Sequence, residues 1–432
     1  MMKTIITHAT ILTVNEQDEV IRDGAVAFAE EKLIYVGPTP ADLSGYDQVI
    51  DGKGKYVLPG LINTHGHVGM SLLRGYADDL PLQQWLEEKM WPLEAQFTAD
   101  HVKWGTYLSI VEMIRTGTTT FVDMYDHMDE VAKAVTQSGM RARLCRGMIG
   151  FGSEELRQHK LREAVSFARN WHNQADGRIT AMMSPHAPYT CSPEFISQIV
   201  EKAAELNLPI HIHMSETRFE VEQNVKEYGV RPVAHLENIG VFERPALVAH
   251  AVHLTDEEIE ILAKYDVKVS HNIVSNLKLA SGVAPLPKML ARGVSVSLGT
   301  DSTASNNNLN LFEELKLAAI LHKGVNYDPV AIPAEQALRL ATRYGADGVF
   351  QADTLGSLEV GKQADLIMLD ANQAQYHPAH NPISHVVYAG NGRDVTDTVV
   401  AGRFLMRNGE LLTVDQERVI YEANQMFSTL KR

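Results

Sequence analysis

Residues 59–67 read Pro-Gly-Leu-Ile-Asn-Thr-His-Gly-His. A Pro-Gly turn precedes a short apolar strand, and His65 and His67 follow with one glycine between them. Positions i and i+2 of an extended segment point to the same side, so both imidazoles can reach one metal ion. A His-x-His pair alone is a weak signal, because such pairs also occur on surfaces and in cores. Its meaning depends on the segments around it.

The sequence that follows alternates short apolar strands with longer amphipathic segments. The predicted strands are residues 61–65, 118–123, 142–147, 179–186, 209–213, 246–250, 267–271 and 294–301. Strands that alternate with helices predict a parallel sheet, and eight such units predict an α/β fold closed as a (β/α)8 TIM-like barrel.

Nearly all of these strands end in a residue that can take part in chemistry. These residues are His65, Asp123, Arg146, His186, His213, His250, His271 and Asp301. In this fold the C-terminal ends of the strands form the active site. The pattern therefore predicts an enzyme with a histidine-rich centre.

Both ends of the chain show β-strand patterns and turn residues with few helical segments, whereas in the middle strands alternate with helices. We predict that residues 1–58 and 359–432 combine into one composite β-sandwich domain. Residues 59–358 then form the barrel between its two parts.

Four strand-end residues are predicted to bind a metal: His65, His67, His213 and Asp301. His211 shares a face with His213, but His213 lies nearer the end of its strand. Three imidazoles and a carboxylate suit Zn²⁺ and are also compatible with Fe²⁺ or Ni²⁺. An open position would let the metal lower the pKa of a water from about 15.7 towards 7. A strand-end aspartate can instead cap a helix, but four such residues on strands one, five and eight favour a metal.

Composition excludes several other classes of function. The 432 residues carry a net charge of −15, which disfavours binding to nucleic acids and anionic membranes. The apolar runs are too short for a membrane span, and the N-terminus lacks a signal-peptide pattern, so we expect a cytoplasmic protein. The only cysteines, Cys145 and Cys191, are too far apart in sequence for a Cys-x-x-Cys site.

Several segments resemble the amidohydrolase superfamily over nearly the whole chain. They are residues 59–67, His213, residues 250–253, residues 299–301 and residues 361–366. Within it, the chain most resembles the 5′-methylthioadenosine/S-adenosylhomocysteine deaminase family. The segments that carry this closer likeness are residues 72–75, 85–94, 121–125, 184–189, 270–279 and 301–307. Triazine hydrolases and guanine deaminases share part of this framework.

The resemblance implies a hydrolase acting on C–N bonds of cyclic amidines. Its reaction would convert the adenine of S-adenosylhomocysteine, 5′-methylthioadenosine and adenosine to hypoxanthine, with release of ammonia. It implies one divalent metal ion per subunit, most simply Zn²⁺, a small-molecule nucleoside substrate and a homo-oligomer. The third and fourth strands offer no lysine at their ends to bridge two metals, which agrees with a single ion.

The resemblance also implies roles for individual residues in catalysis. Asp301 would take a proton from the attacking water and pass it to the leaving amine. Glu216 would transfer a proton to the ring nitrogen N1, and His250 would orient the nucleophile. The simpler alternatives are that Glu216 is a helix-start carboxylate and that His250 is a packing residue.

Other residues would bind the substrate. Glu94 would accept hydrogen bonds from the ribose diol, and His186 would contact the purine or ribose. Arg146 would pair with the amino-acid carboxylate of S-adenosylhomocysteine, with Arg157 the nearest candidate for a second cation. The simpler alternatives are an exposed helix position for Glu94 and a structural ion pair for Arg146.

A stripe of large apolar residues precedes Glu94 at helical spacing: Trp85, Met90, Trp91 and Leu93. Such stripes are most often core, although part of this one could line the site for the thioether tail.

Two other functions remain open. One is hydrolysis of another amino- or chloro-substituted heterocycle, of the guanine or triazine type, and the role of Glu94 would separate it from nucleoside deamination. The other is a metal-binding scaffold without catalysis, which the joint presence of Glu216, His250 and Asp301 disfavours.

Overall fold

The computed structural model describes residues 2–431 and contains the eight-stranded parallel barrel predicted from the sequence. The barrel strands are Leu61–Asn63, Thr118–Tyr125, Arg141–Met148, Ile179–Ala181 with Ser184–Pro185 as the fourth, Ile210–Met214, Ala246–His250, Lys268–His271 and Val296–Leu298. Neighbouring strands pair in parallel within two runs, one to four and five to eight. Main-chain hydrogen bonds close the ring from His211 N to Met183 O (2.9 Å) and from Thr64 N to Leu298 O (3.0 Å).

Helices follow the strands and cover the outside of the barrel. The main ones are Ala99–Arg115, Met128–Ser138, Glu154–Trp171, Pro193–Leu206, Arg218–Tyr228, Pro232–Ile239, Asp256–Lys264, Ile273–Lys278, Leu286–Ala291, Thr303–Asn306, Leu311–Asn326, Ala334–Ala341 and Arg343–Gly348. Their starts follow ordinary capping chemistry. Ser192 accepts a hydrogen bond from Phe195 N ahead of Pro193, and Thr255 forms a capping box with Glu258. These caps fix where the two helices begin after the fourth and sixth strands.

The loop after the first barrel strand is the longest excursion from the barrel. It contains the 3-10 helix Val68–Leu73, a one-turn helix Leu82–Gln84, the π-helix Trp85–Met90 and the helix Trp91–Glu94. Met90 and Leu93 are buried there in an apolar cluster with Leu73 and Leu430. The C-terminal tail therefore helps to hold the excursion in place.

The two ends of the chain meet in one nine-stranded sheet. Its strands are Lys3–Leu12, Val20–Ala29, Lys32–Pro38, Gln48–Asp51, Lys55–Pro59, Leu366–Asp370, Val395–Val400, Arg403–Arg407 and Glu410–Leu411. The junction is antiparallel, with Val57 opposite Met368. The sheet curls on itself and brings together two distant strands. The rings of Phe28 and Phe404 on these strands lie 6.2 Å apart. This is the separate terminal β domain expected from the sequence, and the boundaries at 58/59 and 358/359 stand as a proposal.

The last helices of the chain pack against the barrel and not within the sheet. They are Pro382–Tyr388 and Gln416–Ser428. Short 3-10 turns lie elsewhere in the chain, at Val241–Glu243, Ala374–Tyr376 and Gly392–Asp394. Val419 packs on Trp104 and Val111 of the first outer helix. Among residues 2–431, no helix combines the length and the apolar character that crossing a membrane requires.

Candidate active site

The four predicted metal ligands meet at the C-terminal mouth of the barrel. His213 Nε2 lies 3.3 Å from His67 Nε2, and Asp301 Oδ1 lies 3.3 Å from His67 Nε2 and 3.4 Å from His65 Nε2. Donor atoms about 2.0–2.1 Å from a tetrahedral zinc ion stand about 3.3 Å from one another. The spacing in the structure therefore fits one metal ion bound by all four residues.

The protonation of the histidines also fits a metal. His67 Nδ1 donates to Met124 O (2.6 Å) and His213 Nδ1 donates to His186 O (2.7 Å), so both rings turn Nε2 towards the same position. Burial lowers the pKa of His67, but Asp301 outweighs burial and raises this pKa to about 9, so a metal ion would displace a proton from His67 Nε2. Among the described residues, the buried His65 Nε2 has no hydrogen-bond partner. Burial lowers the pKa of His65 and of His213 well below the ordinary value, so these imidazoles are neutral, as metal ligands must be.

Asp301 is held as an ionised carboxylate. Its Oδ2 accepts hydrogen bonds from Ser275 Oγ (2.6 Å) and Ser305 Oγ (2.9 Å). Burial opposes ionisation, but the adjacent imidazoles of His65 and His67 outweigh it and hold the pKa of Asp301 well below its usual range. One oxygen thus faces the histidines while the other is fixed by hydroxyl groups.

Glu216 and His250 lie beside this cluster, with Glu216 Oε2 3.7 Å from His250 Nε2. Burial raises the pKa of Glu216, the nearby His250 opposes the shift, and the Asp301 carboxylate adds to it. His250 Nδ1 lies 2.8 Å from Asn276 Oδ1, which fixes the ring. The site therefore contains the carboxyl group of Glu216, whose protonated form is favoured by burial, next to the His250 imidazole that Asn276 fixes.

The backbone at three strand ends of the site adopts the left-handed region. Ser215, His250 and Asp301 have φ values of 54°, 77° and 61°. Such conformations cost energy for residues with a Cβ and concentrate at functional sites. Glu220 offsets part of this cost by accepting hydrogen bonds from Ser215 N and Glu216 N, both at 2.7 Å.

A cavity of about 510 Å³ opens above the cluster and is large enough for a small ligand. Its polar lining includes His67, Glu94, Arg146, Lys160, His186, Glu216, His250 and Asp301. Its apolar lining includes Met70, Leu82, Trp85, Leu86, Trp91 and Leu279. Trp85 and Trp91 of the apolar stripe therefore line the cavity, whereas Met90 and Leu93 belong to the core.

Glu94 lies on the cavity wall and is not an exposed helix residue. Tyr125 Oη donates to Glu94 Oε1 at 2.6 Å. Burial raises the pKa of Glu94 and the tyrosine hydrogen bond opposes this shift. A carboxylate accepts about four hydrogen bonds in all, so Glu94 retains acceptors for hydroxyl groups of a ligand.

His186 and Arg146 line other parts of the cavity. The His186 ring lies 4.7 Å from that of His213, and burial lowers the pKa of His186 to about 3. Arg146 pairs with Asp126 (3.1 Å) and Glu163 (3.2 Å) at the rim. Its guanidinium thus lies at the cavity but is already engaged by carboxylates.

Arg157 is not brought into the site. Its guanidinium bonds Glu154 and the carbonyl of Gly152 instead. Lys160, one turn further along the same helix, lines the cavity, and its Nζ donates to Ile149 O (2.7 Å). Sequence reasoning missed Lys160, although its i+3 spacing from Arg157 could have indicated it.

The residues that hold the site in place also had no role predicted from the sequence. Tyr125, Ser275 and Asn276 lie in segments that carried the family likeness, and this was the available signal. Their hydrogen bonds to Glu94, Asp301 and His250 join side chains 26 to 31 positions apart on different elements, so spacing could not reveal them.

Residues 56–405 match the family model described as the amidohydrolase family. The chain belongs to the amidohydrolase family. This amidohydrolase is 49% identical, over 99% of both chains, to a protein of Halalkalibacterium halodurans named 5-methylthioadenosine/S-adenosylhomocysteine deaminase.

Two solved structures are similar over almost their whole length. One is an adenosine deaminase from Xanthomonas campestris with bound zinc, at 35% identity, a TM-score of 0.93 and 99% coverage of both chains. The other is an atrazine chlorohydrolase from Arthrobacter aurescens complexed with zinc, at 25% identity and a TM-score of 0.91. It covers 98% of this amidohydrolase and 100% of the chlorohydrolase. Both relatives carry zinc, in line with the donor spacing described above.

Proposed function

We propose that this amidohydrolase is a metal-dependent hydrolytic deaminase of adenine nucleosides. S-adenosylhomocysteine and 5′-methylthioadenosine are the proposed main substrates and adenosine a further one, with hypoxanthine derivatives and ammonia as products. The observation that carries the proposal is the convergence of Glu216, His250 and Asp301 at the floor of a cavity that has Glu94 on its wall. The name of the 49% identical relative and the adenosine deaminase at 35% identity support it.

We propose one Zn²⁺ ion per subunit, held by His65, His67, His213 and Asp301. When bound, such an ion lowers the pKa of a water and makes hydroxide available at neutral pH. The spacing of 3.3–3.4 Å between donor atoms supports this ligand set.

The reaction forms a C6–O bond, breaks the C6–N6 bond and moves two protons. Glu216 suits the protonation of N1, because burial raises its pKa and favours the protonated carboxyl group. It regains a proton from the C6 hydroxyl group as the carbonyl forms and ammonia leaves. Asp301, ionised and fixed by two serines, accepts the proton of the attacking water and returns it to the leaving amine. His250, fixed through Nδ1 by Asn276, presents Nε2 towards the nucleophile and orients it.

The rest of the cavity matches the other parts of a nucleoside. Glu94 accepts hydrogen bonds from the ribose diol, and His186 contacts the purine or ribose. Trp85 and Trp91 cover an apolar tail such as a thioether. Arg146, at the rim, pairs with the amino-acid carboxylate in exchange for its contacts with Asp126 and Glu163.

The test is ammonia release by zinc-loaded protein from a panel of adenosine, 5′-methylthioadenosine, S-adenosylhomocysteine, guanine and a chlorotriazine. We expect the highest kcat/KM for the adenine nucleosides. Release of ammonia from none of the three nucleosides would refute the proposal, and turnover of guanine or loss of chloride from the triazine would favour the alternative substrates.

The variant Glu94→Gln separates nucleoside deamination from those alternatives. We expect a raised KM for ribonucleosides, because the amide offers one acceptor atom where the carboxylate offers two. Glu87→Gln, an exposed position on the same segment, is the control and should leave KM unchanged. Unaltered KM in Glu94→Gln would contradict the ribose contact.

We also propose that the protein is a cytoplasmic homo-oligomer that does not bind nucleic acid. The net charge of −15 supports the last point. Light scattering with and without added DNA tests the oligomeric state and the absence of nucleic-acid binding together.

A further inference from the structure

A fourth histidine lies directly beneath the proposed metal ligands. His211 is on the fifth barrel strand, two residues before His213, and is completely buried. Its Nε2 lies 2.9 Å from His65 Nδ1, and its Nδ1 lies 2.8 Å from the carbonyl oxygen of Leu247. His211 therefore connects a proposed ligand to the main chain of the sixth strand.

These two contacts determine which nitrogens carry protons. A carbonyl oxygen only accepts, so His211 Nδ1 must donate to Leu247 O. Neutral His211 then presents a lone pair on Nε2, and His65 Nδ1 must be the donor between the two rings. His65 in this tautomer has a free lone pair on Nε2, the atom 3.4 Å from Asp301 Oδ1.

His65 differs in this respect from the other two proposed histidine ligands. His67 and His213 donate their Nδ1 protons to main-chain carbonyls, which no substitution removes. His65 alone among the three depends on a side chain for its acceptor. Partners of this kind, which fix the tautomer and direction of a ligand, commonly contribute 10–100-fold to metal affinity.

We propose that His211 is a positioning residue that holds His65 in its Nδ1-protonated tautomer and thereby sets the affinity of the metal centre. The inference rests on the metal site proposed above and is independent of the substrate. In the simpler alternative, His211 only fills the core and satisfies Leu247 O.

The chain permits a matched pair of variants at this position. In His211→Gln, the longer amide places an acceptor near the position of Nε2 and loses the bond to Leu247. In His211→Asn, the shorter amide keeps a donor near the position of Nδ1 and loses the acceptor for His65. Each variant loses one hydrogen bond, so their effects on folding should be similar, but only His211→Asn removes the acceptor for His65.

The experiment measures the zinc Kd of each purified full-length variant by competition with a chromophoric chelator. We expect His211→Asn to raise the Kd about 10–100-fold and His211→Gln to change it only a few-fold. His322→Asn is the control, because His322 is also buried and bonded to a histidine, His271, at 3.3 Å. It should leave the zinc Kd unchanged.

Equal zinc affinity in His211→Asn and the wild type would overturn the proposal, and so would an equal loss in the Asn and Gln variants. A second measurement needs no variant: histidine ¹⁵N spectra of the zinc-loaded wild type should show the proton of both His65 and His211 on Nδ1. A proton on Nε2 of His211 would also overturn the proposal. Failure of the wild type to bind zinc would instead refute the proposed metal site.

Discussion

Replacing Glu314 with glutamine should remove a large part of the pH dependence of stability. Glu314 is completely buried. Its Oε2 accepts from Ile273 N (2.9 Å) and Val274 N (3.3 Å), and its Oε1 accepts from Asn306 Nδ2 (2.7 Å). The short helix it caps, Ile273–Lys278, carries the residues that hold Asp301 and His250. Glu314 therefore stabilises the start of the helix whose side chains bind Asp301 and His250.

The magnitude follows from the pKa of this carboxyl group. Burial raises the pKa of Glu314 from 4.5 to about 8. The folded state thus binds the proton more tightly than the unfolded state. This contribution to stability is fully present below pH 4.5 and is lost as pH rises through about 8. A shift of this size corresponds to about 5 kcal/mol at most.

Urea unfolding at a series of pH values from 5 to 9 measures the effect. The free energy of unfolding of the wild type should fall over this range, and that of Glu314→Gln should fall by up to about 4 kcal/mol less. Asp123 and Glu220, whose pKa values burial raises to about 7, titrate in both proteins and cancel in the comparison. Glu313→Gln is the matched control, because the neighbouring Glu313 is exposed. Parallel pH profiles for Glu314→Gln and the wild type would refute the argument.

Three further substitutions test the site. Glu216→Gln should keep its zinc and lower kcat about 10²–10⁴-fold, because it removes a proton donor but no ligand; full activity in the ammonia assay would contradict this role. Asp301→Ala should lose both zinc, measured by atomic emission, and activity, and a fully metallated variant would exclude Asp301 as a ligand. Arg146→Gln should lower kcat/KM about 10–100-fold for S-adenosylhomocysteine and only slightly for 5′-methylthioadenosine, which lacks the carboxylate. Equal losses for both substrates would point to a structural role for Arg146.

The barrel and the ligand set could be predicted from the sequence because each is indicated by a short, continuous pattern of residues. An apolar strand that ends in His65 or His213 can be recognised within ten residues. The ends of the first and eighth strands were placed too far along the chain, however. The first strand ends at Asn63 and the eighth at Leu298, because the backbone turns away at the mouth and reaches φ 61° at Asp301.

The residues that hold the site in place could not be predicted in the same way. The hydrogen bond from Tyr125 to Glu94 and that between His65 and His211 join side chains 31 and 146 positions apart. Their pairing depends on the stagger of the strands and the path of the long excursion, which sequence periodicity does not record. The curl of the terminal sheet, which brings Phe28 against Phe404, has the same origin.

The terminal sheet can be completed only after most of the chain has been synthesised. The strand Lys55–Pro59 pairs with Leu366–Asp370, which leaves the ribosome about 300 residues later. At about 5–20 residues per second, the N-terminal strands wait about 15–60 s for these partners. During that interval one edge of the early sheet has no partner, and such an edge is open to pairing with other chains. The barrel emerges in the same interval and can form first, and rapid completion of the chain shortens the time for which this edge is exposed.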